Sequence, residues 1–114
     1  MLSIQKLQES GVNTKEGLAR CLNNEQFYFK MIKKAMSDNS IENLKSAIEA
    51  DDLDKAFEIA HNLKGVTGNL ALTSLYEPIA EMTDFLRERK KMDYSAYIET
   101  ITNKKQEIAA LCVD

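Results

Sequence analysis

The sequence predicts an all-α protein: an antiparallel up-and-down four-helix bundle with short additional N-terminal helices. Apolar residues recur at the three-to-four-residue spacing of a helix face along most of the chain, and no segment shows strand-like alternation bounded by turn residues. The 114 residues include one proline and four glycines, so few positions interrupt a helix. The joints between the predicted helices are short, which favours consecutive helices that pack side by side.

Three helices are predicted in the N-terminal part of the chain. Gly11 follows the first, Thr14 is the expected N-cap of the second, and Asn23-Asn24 separates the second from the third. Their expected ranges are about 3–9, about 14–22 and 25–36. We expect a single domain, 1–114, in which residues 1–12 are a helical extension and the bundle core covers about 24–112.

The next two predicted helices are a short one and a long one. Ser40 is the expected cap of the short helix over 41–49, and Asp51 or Asp52 is the expected cap of the long helix. The long helix contains the only histidine and is expected to end near Gly68-Asn69.

The last two helices complete the bundle. A helical pattern starts near Thr73, and Ser74 and Glu77 have the spacing of a capping box. Pro78 would then remove a first-turn hydrogen bond, so this helix is expected either to start nearer Pro78 or to bend there. The final helix is expected over about 94–111. The helices over 25–36 and 41–49 together form one member of the bundle, and the three that follow form the others.

Aromatic and basic clusters in these helices have structural interpretations. Phe27, Phe29, Phe57 and Phe85 are expected to lie in the core, and packing is favoured over a binding surface for the aromatic cluster that contains the first two. The basic run 87–91 suits the negative end of a helix dipole and is expected to be a solvated helix end.

Composition excludes several function classes. The net charge is −3 with acidic and basic residues interspersed, which argues against nucleic acid as a partner. No apolar run approaches the roughly 20 residues of a membrane span, and the N-terminal segment lacks the regions of a signal peptide. We therefore expect a cytoplasmic protein in which Cys21 and Cys112 are reduced thiols.

The only histidine lies just outside the apolar arc of its helix. At the angular spacing of an α-helix, His61 falls roughly 40° beyond Phe57. Gly65 and Gly68 lie on the same side, although each glycine destabilises a helix interior by about 1 kcal/mol relative to alanine. Several departures from local helix preferences at one place indicate a functional site. The expected benefit of the glycines is space for a partner to approach the ring.

A single exposed imidazole supports few chemistries. The sequence has no nucleophile elbow, and one histidine with two distant cysteines does not supply a metal site. Nucleophilic attack by the ring nitrogen remains, because an imidazole with a pKa of about 6.5 is largely neutral near pH 7. Lys64, three residues after His61, is placed to screen phosphoryl oxygens on the ring. From the pattern alone, an ordinary surface histidine and an ordinary surface lysine stay open.

One segment carries a family resemblance. The signature of histidine-containing phosphotransfer (Hpt) domains, A-H-x-L-K-G followed by a small residue and G-N-L, is similar to Ala60-His61-Asn62-Leu63-Lys64-Gly65-Val66-Thr67-Gly68-Asn69-Leu70. The resemblance extends from about Asn13 to the C-terminus. It departs at Ala71, where the family often has glycine, and at Thr83, where many members have glutamate.

The resemblance implies roles for individual residues. His61 would be the phosphoacceptor, and Lys64 would stabilise the charge of the phosphoryl group. Partner docking would involve the residues around them: Glu58, Asn62, Gly65, Gly68 and Asn69.

The resemblance also implies a phosphorelay intermediate without autokinase activity rather than an enzyme. It would accept a phosphoryl group from a receiver-domain phospho-aspartate, or from a kinase module, and pass it to another receiver aspartate. The implied partners are response-regulator receiver domains and a hybrid sensor histidine kinase, with neither nucleic acid nor membrane. The chain would need no cofactor or metal, whereas Mg²⁺ is expected in the receiver. We expect a free-standing monomer, and a domain excised from a hybrid kinase is the alternative.

Two other functions stay open at this stage. A helical adaptor that docks receiver domains without carrying phosphate would tolerate His61→Gln. A small enzyme with His61 as general base would need a second catalytic group, and the same helix face offers only Asp54 and Glu58.

Overall fold

The computed structural model describes residues 2–113, which contain seven α-helices and no strand. In chain order they are α1 (Ile4–Glu9), α2 (Thr14–Arg20), α3 (Glu25–Met36), α4 (Ser40–Glu49), α5 (Leu53–Asn69), α6 (Thr73–Arg87) and α7 (Ser95–Leu111). The all-α prediction is confirmed. The division into an extension over 1–12 and a core over about 24–112 stays a prediction.

Helices α4 to α7 form a four-helix bundle, whereas the prediction combined α3 with α4 as one member. Each packs against the next, and α7 also packs against α3 and α4, which closes the ring of helices. Only residues 50–52 join α4 to α5, and only residues 70–72 join α5 to α6. Joints this short make consecutive helices antiparallel neighbours. The molecule as a whole is elongated, with principal extents of 40 × 24 × 19 Å.

A continuous apolar core runs through all of these helices. Its largest fully buried side chains are Tyr28, Tyr94, Leu7, Ile32, Leu44, Leu72, Leu75, Ile79, Met82, Leu86, Ile101 and Ile108. The prediction that all four phenylalanines lie in the core is wrong for Phe27, which is 45% exposed. The buried face of α3 consists of Tyr28, Ile32 and Met36. Phe27 precedes Tyr28 by one residue and therefore points about 100° away from that face around the helix axis. The other three phenylalanines are half-buried against the core.

Two predicted N-caps are displaced by one residue. Asn13 rather than Thr14 caps α2, since its side chain accepts from the Glu16 amide at 3.2 Å. The Thr14 hydroxyl is buried instead and accepts from the side-chain amide of Gln8 at 3.0 Å. At the start of α4, Asn39 is the N-cap and Ser40 is the first helical residue.

Other helix limits follow from the backbone. Helix α2 ends at Arg20 rather than near Leu22, because Leu22 and Asn23 take positive φ angles of 59° and 55°. Of the two aspartates predicted to cap α5, Asp52 accepts from the Lys55 amide at 3.2 Å. Helix α6 starts at Thr73 with Pro78 inside it, so a start nearer the proline is wrong. The alternative, a bend at Pro78, stays a prediction.

Residues 10–20, which we call the N-terminal strap, hold the joint between α5 and α6. The Asn13 amide donates to the Ala71 carbonyl at 2.9 Å. The Ser74 amide donates to the Gly11 carbonyl at 3.0 Å, and the Ser74 hydroxyl donates to the Ser10 carbonyl at 2.6 Å. Ser74 is therefore a tertiary contact and not the predicted cap. The Gly11 carbonyl thereby satisfies one of the first-turn amides of α6, which have no partner within the helix.

A buried tyrosine fixes the C-terminal end of α5. The hydroxyl of Tyr28 donates to the carbonyl of Leu70, the C-cap residue, at 2.8 Å. Burial, together with the nearby Cys21 thiol, raises the pKa of Tyr28 to about 12, so the hydroxyl keeps its proton. Gly17 lies directly against the phenol ring, where a Cβ would not fit.

Candidate functional site

His61 is the ninth residue of the 17-residue helix α5 and is exposed, as predicted. Its ring stacks on Phe57, one turn earlier, with centroids 5.7 Å apart and planes inclined by 25°. Within the described part of the chain, neither ring nitrogen has a hydrogen-bond or ion-pair partner. The imidazole is therefore held on one face by an aromatic ring while its nitrogens stay accessible.

Two arginines also lie close to that aromatic ring. The guanidinium carbon of Arg89 lies 4.7 Å from the Phe57 centroid, and that of Arg87 lies 5.7 Å from it. Arg89 also pairs with Asp54 at 2.6 Å. The basic run 87–91 is exposed as expected, yet its arginines also support the phenylalanine beneath His61.

The two glycines after His61 have different surroundings. A Cβ on Gly65 would meet nothing within 4 Å, so the surface beside the ring is open. A Cβ on Gly68 would lie 3.1 Å from the Tyr76 ring of α6. Room for a partner is therefore present at Gly65, whereas the space above Gly68 is filled from within the fold.

A shallow depression of about 310 Å³ surrounds the imidazole. It is lined by Arg20, His61, Lys64, Gly65, Gly68, Asn69 and Tyr76. Lys64 is half-buried, and among residues 2–113 no carboxylate lies within ion-pair distance of its ammonium group. The lysine predicted to screen a phosphoryl group therefore has its charge available.

Sequence reasoning missed Arg20 and Tyr76. Arg20 lies on α2, and its Nη1 donates to the Gly68 carbonyl at 2.8 Å. Its position depends on how the N-terminal strap packs over the end of α5, which no local pattern reveals. Tyr76 falls in the first turns of α6, where the position of Pro78 left the helix start undecided.

The residues predicted for docking surround His61 on the outer face of α5. Of these, Glu58, Asn62, Gly65 and Asn69 are exposed, and Gly68 is half-buried. Val66, which is 44% exposed, adds an apolar contact. It borders a groove of about 490 Å³ between α3 and α5, whose apolar lining is Met31, Ala35, Leu63, Val66 and Leu70.

The geometry limits other chemistry at this site. Asp54, one candidate partner for a general base, has its carboxylate paired with Arg89 rather than directed at His61. In the described range 2–113 no group of three or more His, Cys, Asp or Glu side chains is arranged to hold a metal ion. No helix in the same range is long and apolar enough to span a membrane.

Comparison with known families gives a match over most of the bundle. The model of the Hpt domain matches residues 33–111, which is more than half of the chain. The match starts within α3, later than the start near Asn13 that the sequence resemblance suggested, and it leaves α1 and α2 outside. Comparisons with curated proteins and with solved structures gave no match.

Proposed function

The chain belongs to the Hpt-domain family, and on that premise we propose that it is a phosphorelay intermediate whose phosphoacceptor is His61. Hpt domains act in phosphotransfer in two-component signalling, as intermediates rather than catalysts, and they interact with receiver domains and kinases. The observation that carries the proposal is an exposed imidazole with free nitrogens on α5, inside the matched range and beside an unpaired lysine.

The proposed step is an in-line phosphoryl transfer. A lone pair on Nε2 of His61 forms the N–P bond as the P–O bond to the receiver's aspartate breaks. The aspartate leaves as a carboxylate, and the proton on Nδ1 stays on the ring. Transfer in the other direction, to a second receiver, reverses these events. The receiver supplies Mg²⁺ and its own acidic residues, and positioning with charge neutralisation lowers most of the barrier.

This chain contributes orientation and positive charge. Phe57 stacks on one face of the imidazole, which limits the orientations that the ring can take. Lys64, one turn further on, can extend its ammonium group toward the phosphoryl oxygens because no carboxylate holds it elsewhere.

We propose the outer face of α5 as the receiver-docking surface. Glu58, Asn62 and Asn69 supply polar contacts around His61, and Gly65 lets the partner's backbone approach the ring. Val66 and the adjoining groove supply the apolar contacts that a stable interface needs. The chain is proposed to act as a monomer, which sedimentation of the purified protein will test.

A two-receiver experiment tests the relay. The purified chain is incubated with a phosphorylated receiver domain and Mg²⁺, and an unphosphorylated second receiver is added afterwards. Label that appears on the chain and then moves to the second receiver supports the relay. Stable binding of receivers without label on the chain, under conditions in which the first receiver stays phosphorylated, contradicts it and indicates the adaptor function.

A further inference from the structure

A second cation lies on the same surface as Lys64 but comes from a different helix. Arg20, the last residue of α2, lines the depression that contains His61. Its Nη1 donates to the Gly68 carbonyl at 2.8 Å, and its Nη2 pairs with Glu16. The side chain is 47% exposed. It belongs to the segment outside the family match, so membership of the family assigns it no role.

Arg20 can break its hydrogen bond to Gly68 and its ion pair with Glu16 without leaving a buried polar group unsatisfied. The Gly68 carbonyl also accepts from the Ala71 amide at 3.1 Å, so it keeps a partner when the guanidinium leaves. The Glu16 carboxylate is exposed and also accepts from the side-chain amide of Asn13. Exposed ion pairs of this kind are weak, and a doubly charged anion nearby competes with them.

The path from Gly68 to the imidazole is open. Gly68 follows His61 by seven residues, about 10 Å along the helix axis. Gly65 lies between them and presents no side chain, and a Cβ there would meet nothing within 4 Å. The depression is therefore continuous from the guanidinium to the ring.

We propose that Arg20 is a second phosphoryl-binding residue, which turns from the Gly68 carbonyl to the phosphoryl oxygens when His61 is phosphorylated. The inference rests on the proposed function. The planar guanidinium matches two phosphoryl oxygens at once, whereas the ammonium of Lys64 is a point charge, so the two cations bind in complementary ways. The N-terminal strap then serves the phosphorylated state as well as the fold, because it delivers Arg20 to the site.

The ionisation of the phosphoryl group reports on Arg20 without any partner protein. Phosphoramidate is a small donor in which the P–N bond breaks and ammonia leaves as His61 forms its own N–P bond. A cation that binds the phosphoryl dianion lowers the pKa at which the phosphohistidine takes up a proton. The charged groups that line the depression with His61 are Lys64 on α5 and Arg20 on α2, and the carboxylates of Glu16 on α2 and Glu77 on α6 line the depression next to it.

The experiment is a ³¹P NMR titration of the phosphoramidate-treated protein. Arg20→Gln is expected to raise the phosphoryl pKa by about half a pH unit, and Arg20→Lys to restore part of that shift. Lys15→Gln, which removes one charge from the exposed side of the same helix, is the matched control and should leave the pKa unchanged. Thermal unfolding of each variant separates a loss of strap packing from a loss of charge.

The outcomes distinguish the two proposals. A phosphoryl pKa in a folded Arg20→Gln variant equal to that of wild type overturns the role of Arg20 and leaves His61 as phosphoacceptor. An equal shift in Arg20→Gln and Lys15→Gln also overturns it, because the effect is then general electrostatics. Absence of a phosphohistidine signal in wild type, together with no label from phosphorylated receivers, overturns both proposals.

Discussion

Substitution of Gly65 by leucine distinguishes an effect on the stability of the fold from an effect on the docking surface. A Cβ at this position would meet nothing within 4 Å, and the position is exposed in the interior of α5. Replacing glycine by a better helix former there should stabilise the protein by about 0.8 kcal/mol. For a chain of 114 residues this corresponds to a rise in Tm of about 3 °C.

The same leucine should slow phosphotransfer. Its side chain would occupy the open surface one turn from His61, where the receiver must approach the ring. A misfit that raises the barrier by about 1.4 kcal/mol slows transfer tenfold, and we expect at least that for a side chain of four carbons. The assay is the initial rate of label transfer from a phosphorylated receiver, beside urea and thermal unfolding followed by circular dichroism.

Gly68 provides the matched comparison. A Cβ there would press on the Tyr76 ring at 3.1 Å, so the gain in helix propensity is offset by the contact. Gly68→Ala should therefore show little or no stabilisation, whereas Gly65→Ala should show about 1 kcal/mol. A folded Gly65→Leu protein that transfers at the wild-type rate would refute the docking surface, and a destabilised one would refute the open environment of Gly65.

Four further predictions concern the residues that support the site helix. Gly17→Ala would force a Cβ into the buried ring of Tyr28 and should destabilise the protein by about 3 kcal/mol in urea unfolding. Tyr28→Phe removes the hydrogen bond to Leu70 and should cost about 1–2 kcal/mol. Because the folded pKa of Tyr28 is raised to about 12, wild-type stability should fall between about pH 10 and 12, by at most about 2.7 kcal/mol from this group. The Tyr28→Phe variant should lack this part of the loss of stability at alkaline pH. A dependence of its stability on pH identical to that of wild type would contradict the role given to Tyr28. Asp52→Ala removes the N-cap of α5 and should cost about 1 kcal/mol in thermal unfolding, with no effect expected if the bond to Lys55 is absent in solution.

Local patterns predicted the helix that carries the site. The apolar arc of α5 placed His61 outside the core, and Asp52 and Asn69 lie at the ends that capping and glycine signals indicated. These features depend on residues within a few positions of one another, so periodicity and capping chemistry are sufficient to find them. Glu25–Met36 was predicted with the limits that the structure has for the same reason.

Features that depend on contacts between distant segments were not predictable from local patterns. Thr14 and Ser74 have the chemistry of N-caps, yet the Thr14 hydroxyl accepts from Gln8 of α1 and the Ser74 hydroxyl donates to Ser10 of the N-terminal strap. Gly68 lies on the same face as Gly65, but Tyr76 from the next helix fills the space above it. Arg20 reaches the site only because the strap folds over the end of α5. Apart from the Thr14 cap, whose partner lies six residues away, these errors have one physical cause, which is packing between elements remote in sequence.

The measurement that tests the central claim most directly is the chemical identity of the phosphorylated residue. Wild type and His61→Gln are incubated with a labelled phospho-receiver and Mg²⁺, and the chain is then exposed to acid and to base. The account predicts label on wild type that is lost in acid and retained in base, as for a phosphohistidine, and no label on the folded His61→Gln protein. Equal labelling of the two proteins, or label that survives acid, would contradict the assignment of His61 as the phosphoacceptor.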